Sequence, residues 1–339
     1  MHKQEHILFH YKRLRVDFDL FCVEFEMAMS KQGKRRREVT SYCDWMSQLP
    51  PELHNRSLFM LAIPGSHDSM SYDLDINSSI LEPARLKILS KICCARRTVN
   101  RWAVTQETIA KQLDAGVRYF DMRIARKPND TNPTRLFFYH GLYTRTDVET
   151  VLKVIHDWAE KHPKEIIILA LSHFKEMEER LHIHLIKFIK TLFGTRLFLN
   201  REVPTLKICW DKGRNIIVSY DYPAIHHIEL WSKITYFYGN SMDPTKVESV
   251  LRQALEKSRP SNCFFVCGLN LTLPEDVRIL RYILRLCDNL KKVIQRSLPR
   301  LLQWVKEQAA ITPVNIVASD LVTRDDFVPS IIKLNIHKS

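Results

Sequence analysis

The stretch Leu61-Ala62-Ile63-Pro64-Gly65-Ser66-His67-Asp68-Ser69 sets an imidazole and a carboxylate side by side where an apolar run breaks at Pro-Gly. A histidine there can take or give a proton near neutral pH, because its unperturbed pKa is about 6.5. Alone, the pattern also describes an ordinary strand-end turn with a solvated His–Asp pair. Five later apolar runs end in the same manner. Val117 to Phe120 leads into Asp121-Met122-Arg123, Arg135 to Tyr139 into His140-Gly141, and Ile166 to Leu171 into Ser172-His173. Asn215 to Val218 leads into Ser219-Tyr220-Asp221, and Val314 to Ala318 into Ser319-Asp320. Cys263 to Leu269, ending at Asn270, reads as a seventh strand of this kind. Read as the C-terminal ends of parallel strands, these positions share one face, as in a (βα)-barrel active site.

The elements that must position these residues alternate along the chain. After the first strand, here read over Leu58 to Ile63, comes a long excursion, 69–105, which carries the basic cluster Lys87 to Arg101. It should overhang the site, either meeting anionic headgroups or lying as a solvated basic helix. Gln106 to Ala115 reads as a helix stopped by Gly116 at its C′ position. Val148, Val151, Leu152, Ile155, Trp158 and Ala159 fall on one helical face, and His162-Pro163 ends that helix. The run 166–171 is apolar throughout and belongs in the middle of a parallel sheet. Further helices are expected over 176–193, 244–257, 276–307 (interrupted at Pro299) and 326–333. His182 and His184, two apart on a helix, diverge and read as surface residues, not a metal pair. The alternation predicts an α/β fold, a distorted TIM-type (βα)-barrel over 41–339. Residues 1–40 read as an N-terminal extension, with a short amphipathic helix at Phe18 to Met29. Its basic run Lys31 to Arg37 fits a solvated tail, a membrane contact or a nuclear-import patch.

Bulk composition narrows the partners. The 339 residues are 45% hydrophobic, ample for one large core, and carry a formal charge of +13. That excess suggests an anionic partner, with lipid surface, phosphorylated small molecule and nucleic acid as the classes. No stacking-aromatic motif or binding module supports nucleic acid, so none is expected. The eight cysteines show no zinc-finger spacing around Cys263 and Cys267, and most read as reduced core thiols. No apolar run approaches the roughly 20 residues of a membrane span, so a cytoplasmic protein, peripheral at membranes at most, is expected.

Taken in order, Ile63-Pro64-Gly65-Ser66-His67-Asp68-Ser69, Gly116-Val117-Arg118-Tyr119-Phe120-Asp121-Met122-Arg123 and Tyr139-His140-Gly141 resemble the X domain of phosphatidylinositol-specific phospholipase C. The resemblance runs from about Asp44 to Asn335. It is greatest to the small animal proteins that contain an X domain without Y, C2, PH or EF-hand modules. Trp158-Ala159-Glu160-Lys161-His162-Pro163-Lys164-Glu165, Leu230-Trp231 and Asn315-Ile316-Val317-Ala318-Ser319-Asp320 fit that group as well. Cleaving a phosphodiester by a neighbouring inositol hydroxyl needs a base, an acid and a cation for the phosphoryl oxygens. The resemblance implies His67 as base on the inositol 2-hydroxyl and His140 as acid on the diacylglycerol oxygen. It implies that Asp320 orients His67, that Asp68 orients His140, and that Arg123 holds the phosphate. Asp121, Ser172, His173, Tyr220 and Trp231 are the candidate substrate contacts. His173 could equally be a core or supporting histidine, and Tyr220 and Trp231 could simply pack.

The calcium-dependent animal enzymes have Asn after the first His, a Glu-x-Asp pair at the second strand end and a Glu after the fourth strand. Here those places hold Asp68, Asp121-Met122-Arg123 and Ser172. The pattern resembles the metal-independent bacterial enzymes instead, so no cofactor and no metal are expected. The bacterial lysine near Ser172 and the arginine of the following strand have no counterpart here. The expectation is a phosphoric diester hydrolase acting on phosphatidylinositol or a related phospholipid. A catalytically weak phosphoinositide-binding regulator is the alternative.

Overall fold

Strand β1 (Ile63–Ser66) lies between β2 (Tyr119–Ala125) and β10 (Ile316–Ser319) and runs parallel to both. Beyond β2 follow β5 (Ile167–Lys175), β6 (Ile216–Tyr220) and β7 (Leu230–Trp231); beyond β10 follow β9 (Phe265–Gly268) and β8 (Thr235–Tyr238). All these neighbours pair in parallel, giving the curled sheet of a distorted TIM-type barrel whose two ends are β7 and β8. This computed structural model describes residues 42–82, 93–222, 226–272, 290–324 and 326–336. The N-terminal extension, with its expected helix at Phe18 to Met29 and its basic run, lies outside them. So do residues 87–92 of the basic cluster and 276–289 of the expected long helix.

The core strands form where apolar residues leave no polar face. Ile166, Ile167, Ile168, Leu169 and Leu171 are all fully buried, as a strand covered on both sides requires. Helix α1 (Cys93–Ala103) ends the excursion after β1, and α2 (Ile109–Asp114) precedes β2. Thr108 caps α2 by accepting from Lys111 N, and Gly116 closes it at φ 104°, a left-handed conformation that suits glycine. Helix α3 (Val148–Lys161) buries the six residues of its apolar stripe, with Asp147 capping its first turn. Helices α4 (Glu179–Phe193), α5 (Leu206–Asp211), α6 (Pro244–Ser258), α7 (Leu290–Ile311) and α8 (Phe327–Lys333) complete the described set. Cys209 and Cys267 are buried free thiols, Cys43 is half-buried and Cys263 exposed, so Cys263 and Cys267 are unbonded.

Four expectations are corrected. The first strand starts later than its hydrophobic run: Leu58–Met60 is a 3-10 turn capped by Ser57, and β1 occupies Ile63–Ser66. Strand β3 (Phe137–His140) is no barrel stave. It pairs antiparallel with the end of β2 and with β4 (Leu142–Asp147), so His140 arrives on a hairpin. Helix α7 continues through Pro299, where an interruption was expected. Proline costs about 3 kcal/mol inside a helix. Burial of Leu298, Leu301, Leu302, Trp304 and Val305 on either side outweighs that, at about 1.5–3 kcal/mol for each large side chain. His182 is buried, not on the surface, because its Nδ1 meets the Tyr220 hydroxyl at 2.8 Å.

One buried ion pair ties the chain's start to the sheet. Arg118 directs Nε and one terminal nitrogen to Glu165 Oε2 at 2.9 and 2.8 Å, and donates to the carbonyls of Leu113, Val117 and Cys43. Glu165 in turn accepts from the backbone of Met46 and Ser47. Every N–H of Arg118 and both oxygens of Glu165 thus find a partner, as a fully buried charge demands.

Candidate active site

His67 follows β1 directly, its backbone donating to Ser319 O at 3.0 Å, so the β1–β10 pairing carries it to the strand end. Asp68 then turns into the left-handed region at φ 42°, held by Asp121: the Asp68 N–H donates to Asp121 Oδ2 (3.3 Å) and the Ser69 N–H to Asp121 O (3.0 Å). This left-handed turn leaves the Asp68 carboxylate within reach of side chains just after β1 and on β2 and β3.

That carboxylate is the hub. Its Oδ2 lies 3.2 Å from His67 Nε2 and 3.1 Å from His140 Nε2, while its Oδ1 lies 2.8 Å from Arg123 Nε. The two imidazole centroids are 6.3 Å apart. Burial opposes ionisation of Asp68, but Arg123 and the two histidines overcome it and hold the carboxyl well below the usual range. His67 Nδ1 faces Asp320 Oδ1 at 3.2 Å. Burial would lower the His67 pKa; the carboxylates of Asp68 and Asp320 reverse this and push it up to about 9. Arg123 also faces His67 Nε2 at 3.4 Å, and Glu82 lies 3.9 Å from its other side. On His140, Nδ1 meets the Ala103 carbonyl at 2.9 Å. A carbonyl can only accept, so Nδ1 carries a hydrogen and Nε2 is left to exchange a proton.

His67, Asp68, Arg123, His140 and Asp320 lie together at this end of the sheet, with Asp68 beside both histidines. Of the other expected contacts, Asp121 lies within the cluster and the rest are spread over β5, β6 and β7. Asp121 is buried and holds the Asp68 turn. Ser172 sits in register with Arg123 on the neighbouring strand, and its hydroxyl lies 2.8 Å from Nδ1 of the exposed His173. Tyr139 donates to the His173 carbonyl at 2.6 Å, fixing that residue beside the hairpin. Tyr220 is engaged by His182 and by Phe174, with centroids 4.7 Å apart. Trp231 donates to Phe198 O and packs against Phe59 and Phe264, residues that precede β1 and β9. The structure does not bring either aromatic to the histidines. Sequence reasoning missed Ala103, Thr105 and Gln106, which contact the acid–base groups from the end of α1 and the segment after it, and Glu82. Nothing in the residue types of Ala103, Thr105 and Gln106 announces this, since they act through a carbonyl, a hydroxyl and an amide; Glu82 lies in the long excursion, away from any run's end.

Among the described residues three donor sets could hold a cation: Cys43, Asp44 and His162; His67, Asp68 and Asp121; and His156, Asp157 and Glu160. The second lies in the site, with one atom from each residue within 4.8 Å of the others. Arg123 already places a fixed positive charge on its Asp68.

The family model for the X domain of phosphatidylinositol-specific phospholipase C matches residues 100–219. The chain is 40% identical over 303 residues to PI-PLC X domain-containing protein 1 of Homo sapiens, covering 86% of this chain and 92% of the relative. Protein 2 of that name from Mus musculus is 36% identical over 312 residues, covering 89% and 90%. Among solved structures, the phosphatidylinositol-specific phospholipase C of Listeria monocytogenes superposes with a TM-score of 0.59 at 21% identity, over 87% of this chain and 99% of that one. A Staphylococcus aureus phosphatidylinositol-specific phospholipase C gives 0.59 at 17% identity, over 87% and 98%. These neighbours share the barrel fold, and the full-length relatives decide the kinship: this chain belongs to the PI-PLC X domain-containing family.

Proposed function

We propose that the chain is a phosphoric diester hydrolase that cleaves phosphatidylinositol or a related glycerophospholipid by paired acid–base catalysis at a membrane surface. The observation that carries this reading is the Asp68 carboxylate, shared by His67, His140 and Arg123. Two imidazoles with centroids 6.3 Å apart can serve the two sides of an in-line displacement, one as base and one as acid.

In this mechanism His67 Nε2 takes the proton of the inositol 2-hydroxyl, whose oxygen forms a bond to phosphorus. The bond from phosphorus to the diacylglycerol oxygen breaks, and His140 Nε2 gives that oxygen a proton. The first products are a cyclic inositol phosphate and diacylglycerol. Arg123 stabilises charge on the non-bridging oxygens, its planar guanidinium reaching two at once. Asp68 and Asp320 keep the rings oriented and stabilise the imidazolium that forms on His67. With its pKa up to about 9, His67 is mostly imidazolium before substrate arrives. About one molecule in a hundred holds the base neutral at pH 7. Among the described residues no helix is long and apolar enough to cross a membrane, so the proposed contact is peripheral.

The test is release of water-soluble inositol phosphate from phosphatidylinositol vesicles in EDTA, by wild type, His67→Ala and His140→Ala. Each variant should lose about 10²–10⁴ of the rate. Vesicle binding without turnover by wild type would favour the alternative, a phosphoinositide-binding regulator using the same cleft.

A further inference from the structure

The acid–base groups stand on three different elements, and one short segment touches all of them. At the end of α1, Ala103 O meets His140 Nδ1 at 2.9 Å, and just beyond it Thr105 Oγ1 lies 2.8 Å from Asp320 Oδ1. Gln106 Nε2 then donates to His67 O (2.8 Å) and Ser319 O (3.0 Å), clamping the end of β1 to the end of β10. Thr105 is wholly buried, so no water competes for its hydroxyl.

The direction of its hydrogen bond is forced. A carboxylate only accepts, so Thr105 donates to Asp320. The Thr105 oxygen can then accept from Ser71 Oγ at 3.2 Å, while the Thr105 N–H donates to Ser71 Oγ at 3.3 Å. Asp320 Oδ1 therefore faces two donors, Thr105 Oγ1 and His67 Nδ1.

We propose that Thr105 is a positioning residue for the proposed phosphodiesterase: its hydroxyl locks the rotation of the Asp320 carboxylate so that Oδ1 faces His67 Nδ1 and the other ring nitrogen faces the substrate. The inference rests on the two-histidine reading above. Without the hydroxyl the carboxylate loses one of the two donors on that oxygen. It is then free to swing away from His67 Nδ1, and the imidazolium loses part of the support of that charge.

Thr105→Val keeps the volume and removes the donor. It should lower kcat about tenfold at unchanged KM, the scale of a lost hydrogen bond to a charged group. It should also move the basic limb of the pH–rate profile to lower pH, and Thr105→Ser should restore both. An NMR titration of the His67 imidazole needs no substrate and should shift downward in Thr105→Val and return in Thr105→Ser. A folded Thr105→Val with wild-type kcat and an unmoved His67 titration overturns the proposal. If that variant does not fold, Ser71→Ala retains the Thr105 hydroxyl but frees its oxygen. It should give a smaller loss, about two- to threefold, in the same direction, and no change in rate or titration overturns the proposal. A wild type without turnover defeats the phosphodiesterase reading itself, and the titration alone then decides the role of Thr105.

Discussion

Asp68 offers one oxygen to two imidazoles and the other to a guanidinium, so the proton inventory of the site follows from a single carboxylate. The sharpest consequence is on His67. Its pKa, about 6.5 in an unfolded chain, stands at about 9 in the folded protein because Asp68 and Asp320 overcome the cost of burial. A raised folded-state value means stability that is fully present below the unfolded pKa and lost as pH rises through the folded one. The thermal midpoint should therefore fall between pH 6.5 and 9.5, by an amount equivalent to about 1–3 kcal/mol. His67→Gln should flatten that window; equal slopes for wild type and variant would refute the assignment. Asp68, held low, acts in a separate acid window and does not interfere. The histidines, Arg123, Asp68 and Asp320 were legible in the sequence because each is a chemically committed side chain at a run's end. Thr105, Gln106 and the Ala103 carbonyl were not, because a buried amide or hydroxyl gains its role only from what the fold sets opposite it.

At the scale of elements, what could be read was periodicity, and what could not was pairing. The apolar stripe of α3 and the continuous run of β5 declared themselves, since burial on one or both faces fixes residue type directly. That β3 leaves the barrel as an antiparallel hairpin is set by its pairing with the far end of β2, which no local pattern encodes. The helix through Pro299 shows tertiary burial overriding a local breaker. Arg118 and Glu165 are the element-scale prediction. They link the segment around Met46, the α2–β2 turn and the start of β5 through a fully buried pair. Arg118→Met should cost about 3–5 kcal/mol in urea unfolding, because it strands the Glu165 carboxylate without its cation. Adding Glu165→Leu should recover much of the loss. A single variant of near wild-type stability would show that the pair is dispensable.

For the molecule as a whole, the curled sheet brings groups from β1, β2, β10, the β3–β4 hairpin and the segment after α1 to one end. The aromatic cluster of Phe59, Trp231 and Phe264 joins β7 to the residues that lead into β1 and β9. The donors at the site's end bear on the cation question. Calcium prefers six to eight oxygen ligands, typically several carboxylates. The donor set in the site offers two carboxylates and one imidazole, and Arg123 already lies 2.8 Å from one of those carboxylates. A divalent ion there would have to displace the guanidinium or sit beside its charge. Hydrolysis of phosphatidylinositol vesicles should therefore run equally fast in EDTA and in calcium. Arg123→Ala should lose about 10²–10³ in kcat, the scale for removing a donor to developing phosphoryl charge. Arg123→Lys should recover part of it, keeping the charge without the two-pronged fork. Activity abolished by EDTA and restored by calcium in wild type would mean that the carboxylates serve a metal during turnover and that Arg123 has been given the wrong role.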